Sequence, residues 1–282
     1  MTTTHYVYFQ DSQSMPQVKS QSMQLMLTSC PYGTIKDYGN PDQIGFYDSI
    51  PEYYRKLGNV WTESIRALCP GGRMCINIGD QYVRAVKGTP YQILPLHAYL
   101  VSDIMAHHSD NLVYLGSIIW QKIPNTKTTG GASVMGSYPY PRNGYVSYNF
   151  EYIAIFKKLG KDPRPSKEIK AQAKMTKEEW RKLFNGIWQF NGVRQIDHIA
   201  VFPDELARRL IRMFTFPGDN VLDTFLGSGT TAKVAYEDGR NSIGYELGFG
   251  SGIDYTREVI KKKIHFYDVP VSESAAIFPT LV

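Results

Sequence analysis

A strand, a glycine-containing turn and a helix in direct succession constrain this chain more than any other stretch. Asn220-Val221-Leu222-Asp223 reads as a short buried strand, followed by the glycine-containing stretch Thr224 to Thr231. A helix runs from there to about Glu237, and Asn241 to Glu246 reads as the next strand. Parallel neighbours need a crossover between them, usually a helix, so this unit calls for an α/β layer with a parallel sheet. Gly227 and Gly229 permit a tight turn and close backbone approach. The helix that follows offers free N–H groups to an anion. A carboxylate ending the second strand, Glu246, can accept both hydroxyls of a ribose. A plain β-α-β unit without a ligand is the alternative. The spacing is not Gly-x-Gly-x-x-Gly, and no Gly-Lys-Ser/Thr follows, which disfavours a nicotinamide-dependent oxidoreductase and an ATP-hydrolysing P-loop.

A second stretch sits near the front of the chain. Met23 to Leu27 reads as a strand that leads into Thr28-Ser29-Cys30-Pro31-Tyr32-Gly33. Pro31 prevents it from continuing as a central strand. A hydroxyl, a fixed turn and an aromatic ring are thereby gathered at a strand end, where ligands bind in open α/β sheets. The combination suits gripping a planar nitrogen base.

Between and around these stretches the pattern predicts strands over His5–Phe9, Arg73–Gly79, Leu112–Trp120 and Phe150–Phe156. It predicts helices over Pro51–Leu68, Tyr91–His107, Pro203–Phe214 and Tyr255–Phe266. Asp11, just past the first strand, is either a turn residue or a ligand contact. Gln121 to Asn149 is a long irregular loop, and such loops are usually functional or disordered. From Lys157 to Gln195 lysines and arginines are dense, with Trp180, Phe184, Trp188 and Phe190 among them. That mixture fits a nucleic-acid backbone and its bases as well as it fits a solvated helix with a small apolar seam. The net charge of +5 is compatible with a polyanionic partner without requiring one. Three cysteines with no zinc spacing point to a reducing compartment and no structural metal. No secretory leader or apolar span is visible, so the expectation is a soluble, cytoplasmic protein with no membrane partner.

Asp223-Thr224-Phe225-Leu226-Gly227-Ser228-Gly229-Thr230-Thr231 resembles the Asp-Pro-Phe-x-Gly-Ser-Gly-Thr-Thr motif of DNA amino-methyltransferases. Thr28-Ser29-Cys30-Pro31-Tyr32 is similar to their Thr-Ser-Pro-Pro-Tyr motif, and His198 to Leu206 resembles the segment before their glycine loop. The order, catalytic motif first and cofactor loop late, resembles the circularly permuted beta group. Cys30 and Thr224 stand where the family usually has proline.

The resemblance implies a Rossmann-like class I methyltransferase fold, α/β with a mixed, mostly parallel sheet. It divides the chain into a catalytic part over 1–156, an inserted target-recognition region over 157–195 and a cofactor-binding part over 196–282. It implies S-adenosyl-L-methionine as methyl donor, held by Asp11, Thr28, Phe202, Pro203, Asp223, Phe225, Gly227, Ser228, Gly229, Thr230, Thr231 and Glu246. Ser29, Cys30, Pro31 and Tyr32 would act on the base: the Ser29 hydroxyl and Cys30 carbonyl accept its amino N–H bonds, and Tyr32 stacks on it. The target would be flipped out of double-stranded DNA, read by Lys157–Gln195 and the loop Lys122–Tyr148. Cytosine N4 is the preferred acceptor because position 29 is Ser; adenine N6 is the alternative, and so is an inactive DNA-binding protein on the same fold. RNA as substrate stays open. Cys30 is not expected to be a covalent nucleophile, because the order here is Cys-Pro with Tyr32 next. A cognate restriction endonuclease is an expected companion; the oligomeric state, a dimer included, is left open.

Overall fold

The computed structural model describes residues 2–33, 36–83, 85, 88, 90–122, 137, 139–144, 146, 148–192 and 202–268. In chain order the elements are β1 (His5–Tyr8), β2 (Met23–Ser29), α1 (Ile50–Ala67), β3 (Leu68–Ile78), β4 (Gln81–Val83), β5 (Gln92–Leu94), α2 (Leu96–His108), β6 (Leu112–Lys122) and β7 (Phe150–Lys158). After these come α3 (Lys167–Gln172), α4 (Lys177–Leu183), β8 (Ile187–Phe190), α5 (Asp204–Phe214), β9 (Asn220–Asp223), α6 (Thr230–Glu237), β10 (Asn241–Tyr245), α7 (Ile253–Lys261) and β11 (Tyr267–Asp268). Nine strands form one sheet in the order β11-β1-β10-β9-β2-β3-β7-β6-β8, while β4 and β5 form a separate small pair. Only β7 runs against its neighbours β3 and β6; every other adjacent pair is parallel. The mixed, mostly parallel α/β sheet expected from the sequence is therefore present.

Alternation along the central strands builds two cores. Met26, Met74, Ile76, Leu222 and Ile243 pack under α1 and α2, beside Leu57, Trp61 and Leu100. Leu25, Leu27, Cys75 and Val221 face the other way, toward Leu206 and Leu210 of α5 and Val234 of α6. Period-2 strands sandwiched by helices on both faces read as apolar runs for this reason. A smaller cluster joins Val7 and Leu226 to Ile260 and Ile264 at α7.

β2 and β9 are parallel neighbours, with Leu25 opposite Val221 and Met26 opposite Leu222. From β2 the chain passes through α1 to β3 on one side; from β9 it passes through α6 to β10 on the other. The connections diverge at this pair, which leaves a crevice beyond the carboxyl ends of β2 and β9, the place where open α/β sheets take ligands.

Three expectations are corrected. The helix foreseen over Tyr91–His107 begins at Leu96, and Gln92–Leu94 is strand β5; Pro95 is the N-cap and disfavours helical conformation for the residue before it. The last helix spans Ile253–Lys261 rather than Tyr255–Phe266. β3 begins at Leu68, so Pro70-Gly71-Gly72 lies inside a strand. Gly71 takes φ +81°, and the Asp162 side chain fills the space a Cβ would need.

The basic and aromatic stretch 157–195 is divided by the reversal of β7. β7 runs from Tyr152 opposite Ile78, at the carboxyl end of β3, to Lys157 opposite Arg73 in the middle of that strand, so the chain leaves β7 heading toward the end of the sheet away from the crevice. α4 stays there. Glu179 pairs with Arg212, and Phe184 meets Phe214 edge-on, both at the carboxyl end of α5. Trp180, 55% exposed, stacks on Phe184 at that far end. Trp188 is core, and Phe190 lies against Trp120 and under the Arg209 guanidinium. Among the described residues, the end of β8, with Phe190 beside Lys122, returns to the crevice side. Residues 193–195 of this stretch lie outside the described residues, as does most of the loop Lys122–Tyr148.

Candidate active site

The crevice encloses a cleft of about 700 Å³, part of it open solvent, and both Ser29 and Glu246 line it. One wall comes from the end of β9 and its turn. Gly227 and Gly229 take φ +55° and +85°, conformations open to glycine without strain, and Gly229 is the residue from which α6 starts. The Asp223 carboxylate, 1% exposed, organises this turn. It accepts from the Thr28 hydroxyl at 2.7 Å, the Thr231 hydroxyl at 2.6 Å and the Phe225 N–H at 3.1 Å. Burial raises its pKa to about 6, against the opposing pull of these donors. Thr28 is on β2 and Thr231 on α6, so one buried carboxylate ties the two central strands to the turn.

Glu246 follows β10. Its carboxylate accepts from the Gly227 N–H at 2.7 Å and the Gly248 N–H at 2.9 Å. Burial pushes its pKa up to about 7, with those backbone donors opposing the shift. Asp11, Phe225 and Thr224 share the cleft. Asp11 also closes a turn by accepting from the Gln13 N–H at 2.9 Å, so the turn role and the cleft position coexist. The Thr224 hydroxyl is buried with no hydrogen-bond partner among the described residues.

The second wall is the end of β2. Ser29 and Pro31 line the cleft, and the Pro31 carbonyl accepts from the Tyr53 hydroxyl at 2.5 Å. Cys30 is 2% exposed, and burial pushes its thiol up to about 12. A thiol so held has little thiolate character at neutral pH. Tyr32 stays a phenol, because burial and then the neighbouring Glu151 charge both raise its pKa. Its hydroxyl donates to Glu151 at 2.9 Å and accepts from the Asn77 amide at 2.8 Å. Asn77 also donates to Glu151 at 2.7 Å, and Lys122 pairs with the other carboxylate oxygen.

Sequence reasoning missed Asn77, Glu151 and Lys122. Each is a polar residue in a strand with no motif around it. The readable signal was a lone Asn in the apolar run Met74–Ile78 and a lone Glu opening β7. Missed as well were Tyr38, Asn40 and Gln43, which close the cleft from the loop after β2. Of the residues anticipated as cofactor contacts, Phe202, Pro203, Ser228, Gly229, Thr230 and Thr231 are not on the cleft wall. Phe202 is core, Pro203 caps α5, and the Ser228 hydroxyl faces Lys263 at 2.6 Å. Thr28 and Asp223 stand behind the wall. Residues 193–201, which hold the start of the segment from His198, lie outside the described residues. Among the described residues, no cluster of His, Cys, Asp or Glu has a metal-binding arrangement, and no helix is long and apolar enough to cross a membrane.

A model of the DNA methylase family of the N6/N4 type matches residues 23–249. The Type II methyltransferase M.MjaI of Methanocaldococcus jannaschii is 35% identical over 277 residues, which cover 88% of each chain. TTHA0409 of Thermus thermophilus, assigned as a DNA modification methylase, superposes with a TM-score of 0.69 at 30% identity. That match covers 92% of this chain and 93% of the other, and TTHA0409 also has a structure complexed with S-adenosyl-L-methionine. The cytosine-N4-specific PvuII DNA methyltransferase, at 19% identity and a TM-score of 0.62 over 93% of each chain, shares the fold.

Proposed function

The chain belongs to the N6/N4 DNA methylase family, and from that membership we propose a Type II, restriction-modification DNA methyltransferase. It uses S-adenosylmethionine to methylate an exocyclic amino group in DNA, the N4 of cytosine. The observation that carries the reading is that Ser29 and Glu246 line one cleft at the divergence of β2 and β9. A methyl group can pass between a donor on one wall and a base on the other.

S-adenosylmethionine, when bound, supplies an electrophilic methyl group. The residues present fit it. Glu246 accepts the ribose hydroxyls from a carboxylate already oriented by two backbone N–H groups. Phe225 gives an apolar face, Asp11 on the cleft wall would meet the adenine, and the Thr224 hydroxyl, unpartnered among the described residues, offers a hydrogen bond to the ligand. On the base side, an exocyclic amino nitrogen is a poor nucleophile because its lone pair is conjugated with the ring. The Ser29 hydroxyl and Cys30 carbonyl hold its N–H bonds and favour a more tetrahedral nitrogen. Each contributes about 1–3 kcal/mol if the bond strengthens toward the transition state. Tyr32 stacks on the flipped base. Ser29 supplies a neutral hydroxyl at the amino group, which supports cytosine over adenine.

The target-recognition role of 157–195 is proposed for the end of β8, where this stretch returns to the crevice, acting with the loop 122–148. The parts 1–156 and 196–282 form one domain, as the shared central sheet supports. Labelled cofactor and DNA, incubated with the protein and digested to nucleosides, test the reading: the label is expected in N4-methylcytosine. Label only in N6-methyladenine ends the cytosine assignment, and DNA binding without any label favours the inactive alternative.

A further inference from the structure

Methylating an amino group creates a proton that must leave. The nitrogen lone pair forms the N–C bond as the donor's C–S bond breaks and sulfur keeps that electron pair. The nitrogen then carries a positive charge and is strongly acidic. The residue set against it, Ser29, is a hydroxyl. A hydroxyl that takes a proton must surrender its own, so it needs an acceptor behind it.

The structure supplies one. The Ser29 hydroxyl donates to the Tyr32 hydroxyl at 3.3 Å, and Tyr32 donates to the Glu151 carboxylate at 2.9 Å. All donors in the chain point the same way, toward the carboxylate. Asn77, 1% exposed, fixes that direction: its amide nitrogen donates to the Tyr32 oxygen and to Glu151. Of the two acceptors within reach of the phenol proton, the Glu151 carboxylate at 2.9 Å is nearer than Ser29 Oγ at 3.3 Å. Among the described residues, Ser29 Oγ has hydrogen bonds to Tyr32 and Asn77 only. Asp80 is engaged elsewhere, with the His97 N–H, and Asp223 reaches Thr28 rather than Ser29. Glu151 is 8% exposed and is paired with Lys122, whose side chain reaches solvent.

We propose that Ser29, Tyr32 and Glu151 form a proton relay that drains the reacting amino group, with Asn77 and Lys122 as positioning residues. This inference rests on the amino-methylation reading. In the step, the amino proton moves to Ser29 Oγ, the Ser29 proton to the Tyr32 oxygen, and the Tyr32 proton to Glu151 Oε2. The products are a neutral methylated base and a neutral Glu151 carboxyl group, which returns its proton to solvent. Tyr32 thus has two duties: its ring holds the base and its hydroxyl passes the proton.

The test is single-turnover methyl transfer by the wild-type protein, Tyr32→Phe, Glu151→Gln and the double variant. Calorimetry with S-adenosylhomocysteine and duplex-DNA anisotropy report folding and binding independently of turnover. Each single variant is expected to lose about 100-fold in rate, the range of a positioned proton-transfer group, with both affinities unchanged. The double variant is expected to be no slower than the slower single one, because both act on one path. Fluorotyrosine placed at position 32 and read by fluorine NMR is expected to ionise at lower pH in Glu151→Gln. The groups facing that ring are Ser29, Cys30, Asn77 and Glu151, the last with Lys122 behind it. A Tyr32→Phe variant as fast as wild type overturns the relay, and so do additive losses in the double variant or an unchanged fluorotyrosine titration. Parallel loss of homocysteine-ligand affinity in both variants also overturns it, since Glu151 would then be holding the fold. A wild-type protein that labels no amino group in DNA defeats the parent reading instead.

Discussion

The two walls of the cleft are built in opposite ways. The β9 wall is local: Phe225 and Gly227 line it, Asp223 and Thr231 support it from behind within the same nine residues, and Glu246 reaches back to the Gly227 N–H across one helix. The β2 wall, lined by Ser29 and Pro31, is backed from afar: Tyr32 meets Glu151 across 119 positions, and Asn77 meets Glu151 across 74. A local wall is specified by turn geometry and buried hydrogen bonds, and its ligand groups are held before any ligand arrives. An assembled wall depends on strand register, because a slip of one residue would turn Asn77 or Glu151 to the other face. The difference predicts that the first wall responds to single substitutions through folding and affinity, and the second through rate.

The largest effect is expected where the walls join. Asp223→Ala leaves the Thr28 and Thr231 hydroxyls and the Phe225 N–H without their acceptor. Stability is expected to fall by about 3–5 kcal/mol, read from the denaturant midpoint. A loss below about 1 kcal/mol would mean that the walls are not tied through this carboxylate.

Next comes Glu246→Gln, which is expected to weaken S-adenosylhomocysteine binding by about 10–100-fold, the loss of a charged hydrogen-bond acceptor, with little change in fold. Ribose hydroxyls favour the ionised carboxylate, whose pKa in the folded protein is about 7 against an ordinary 4.5. Wild-type affinity is therefore expected to weaken as pH falls through about 7, and the Gln variant to lack that dependence. Stability without ligand should run the other way. Between the ordinary and the raised values of Glu246 and Asp223 the folded chain holds more protons than the unfolded one. These two groups are therefore expected to take stability away as pH rises from about 4 to 7, while His5, whose pKa burial lowers to about 4, adds it over the same range, so the Glu246 share is read as the difference between wild type and Glu246→Gln. Calorimetry across that range and thermal melts of the apo protein check the two signs.

The same contrast explains what was legible in the sequence. The turn Asp223–Thr231, Glu246 and the strand end at Ser29 were readable because each is a contiguous pattern with its own backbone mechanics. Glu151 and Lys122 carried no local pattern, and their meaning comes only from β7 folding back between β3 and β6. That reversal also separates the basic stretch after Lys157 from the crevice, something composition cannot express. Trp188 and Trp180 look alike in sequence, yet one is core and the other exposed at the far end of the sheet. Pro95 was visible, but the helical periodicity of Leu96–His108 carried the reading past it to Tyr91. Thr28, Asp223 and Thr231 were picked out as cofactor contacts; in the fold their side chains bond to one another behind the wall, a supporting position that a motif does not express.

The smallest expected effect is also the sharpest probe of a wall built for a ligand. Thr224 is 1% exposed, lines the cleft, and its hydroxyl has no partner among the described residues. A buried hydroxyl without a hydrogen bond costs about 1–3 kcal/mol, and valine has the same shape without it. Thr224→Val is thus expected to raise apo stability by about 1 kcal/mol, seen as a higher melting temperature. It should lower S-adenosylhomocysteine affinity by a similar free energy, so that the two proteins converge in stability at saturating ligand. A stability gain with no loss of affinity would mean the hydroxyl serves no ligand. A stability loss would mean that it already has a partner within the fold, and that the β9 wall is as internally satisfied as Tyr32 is on the other side.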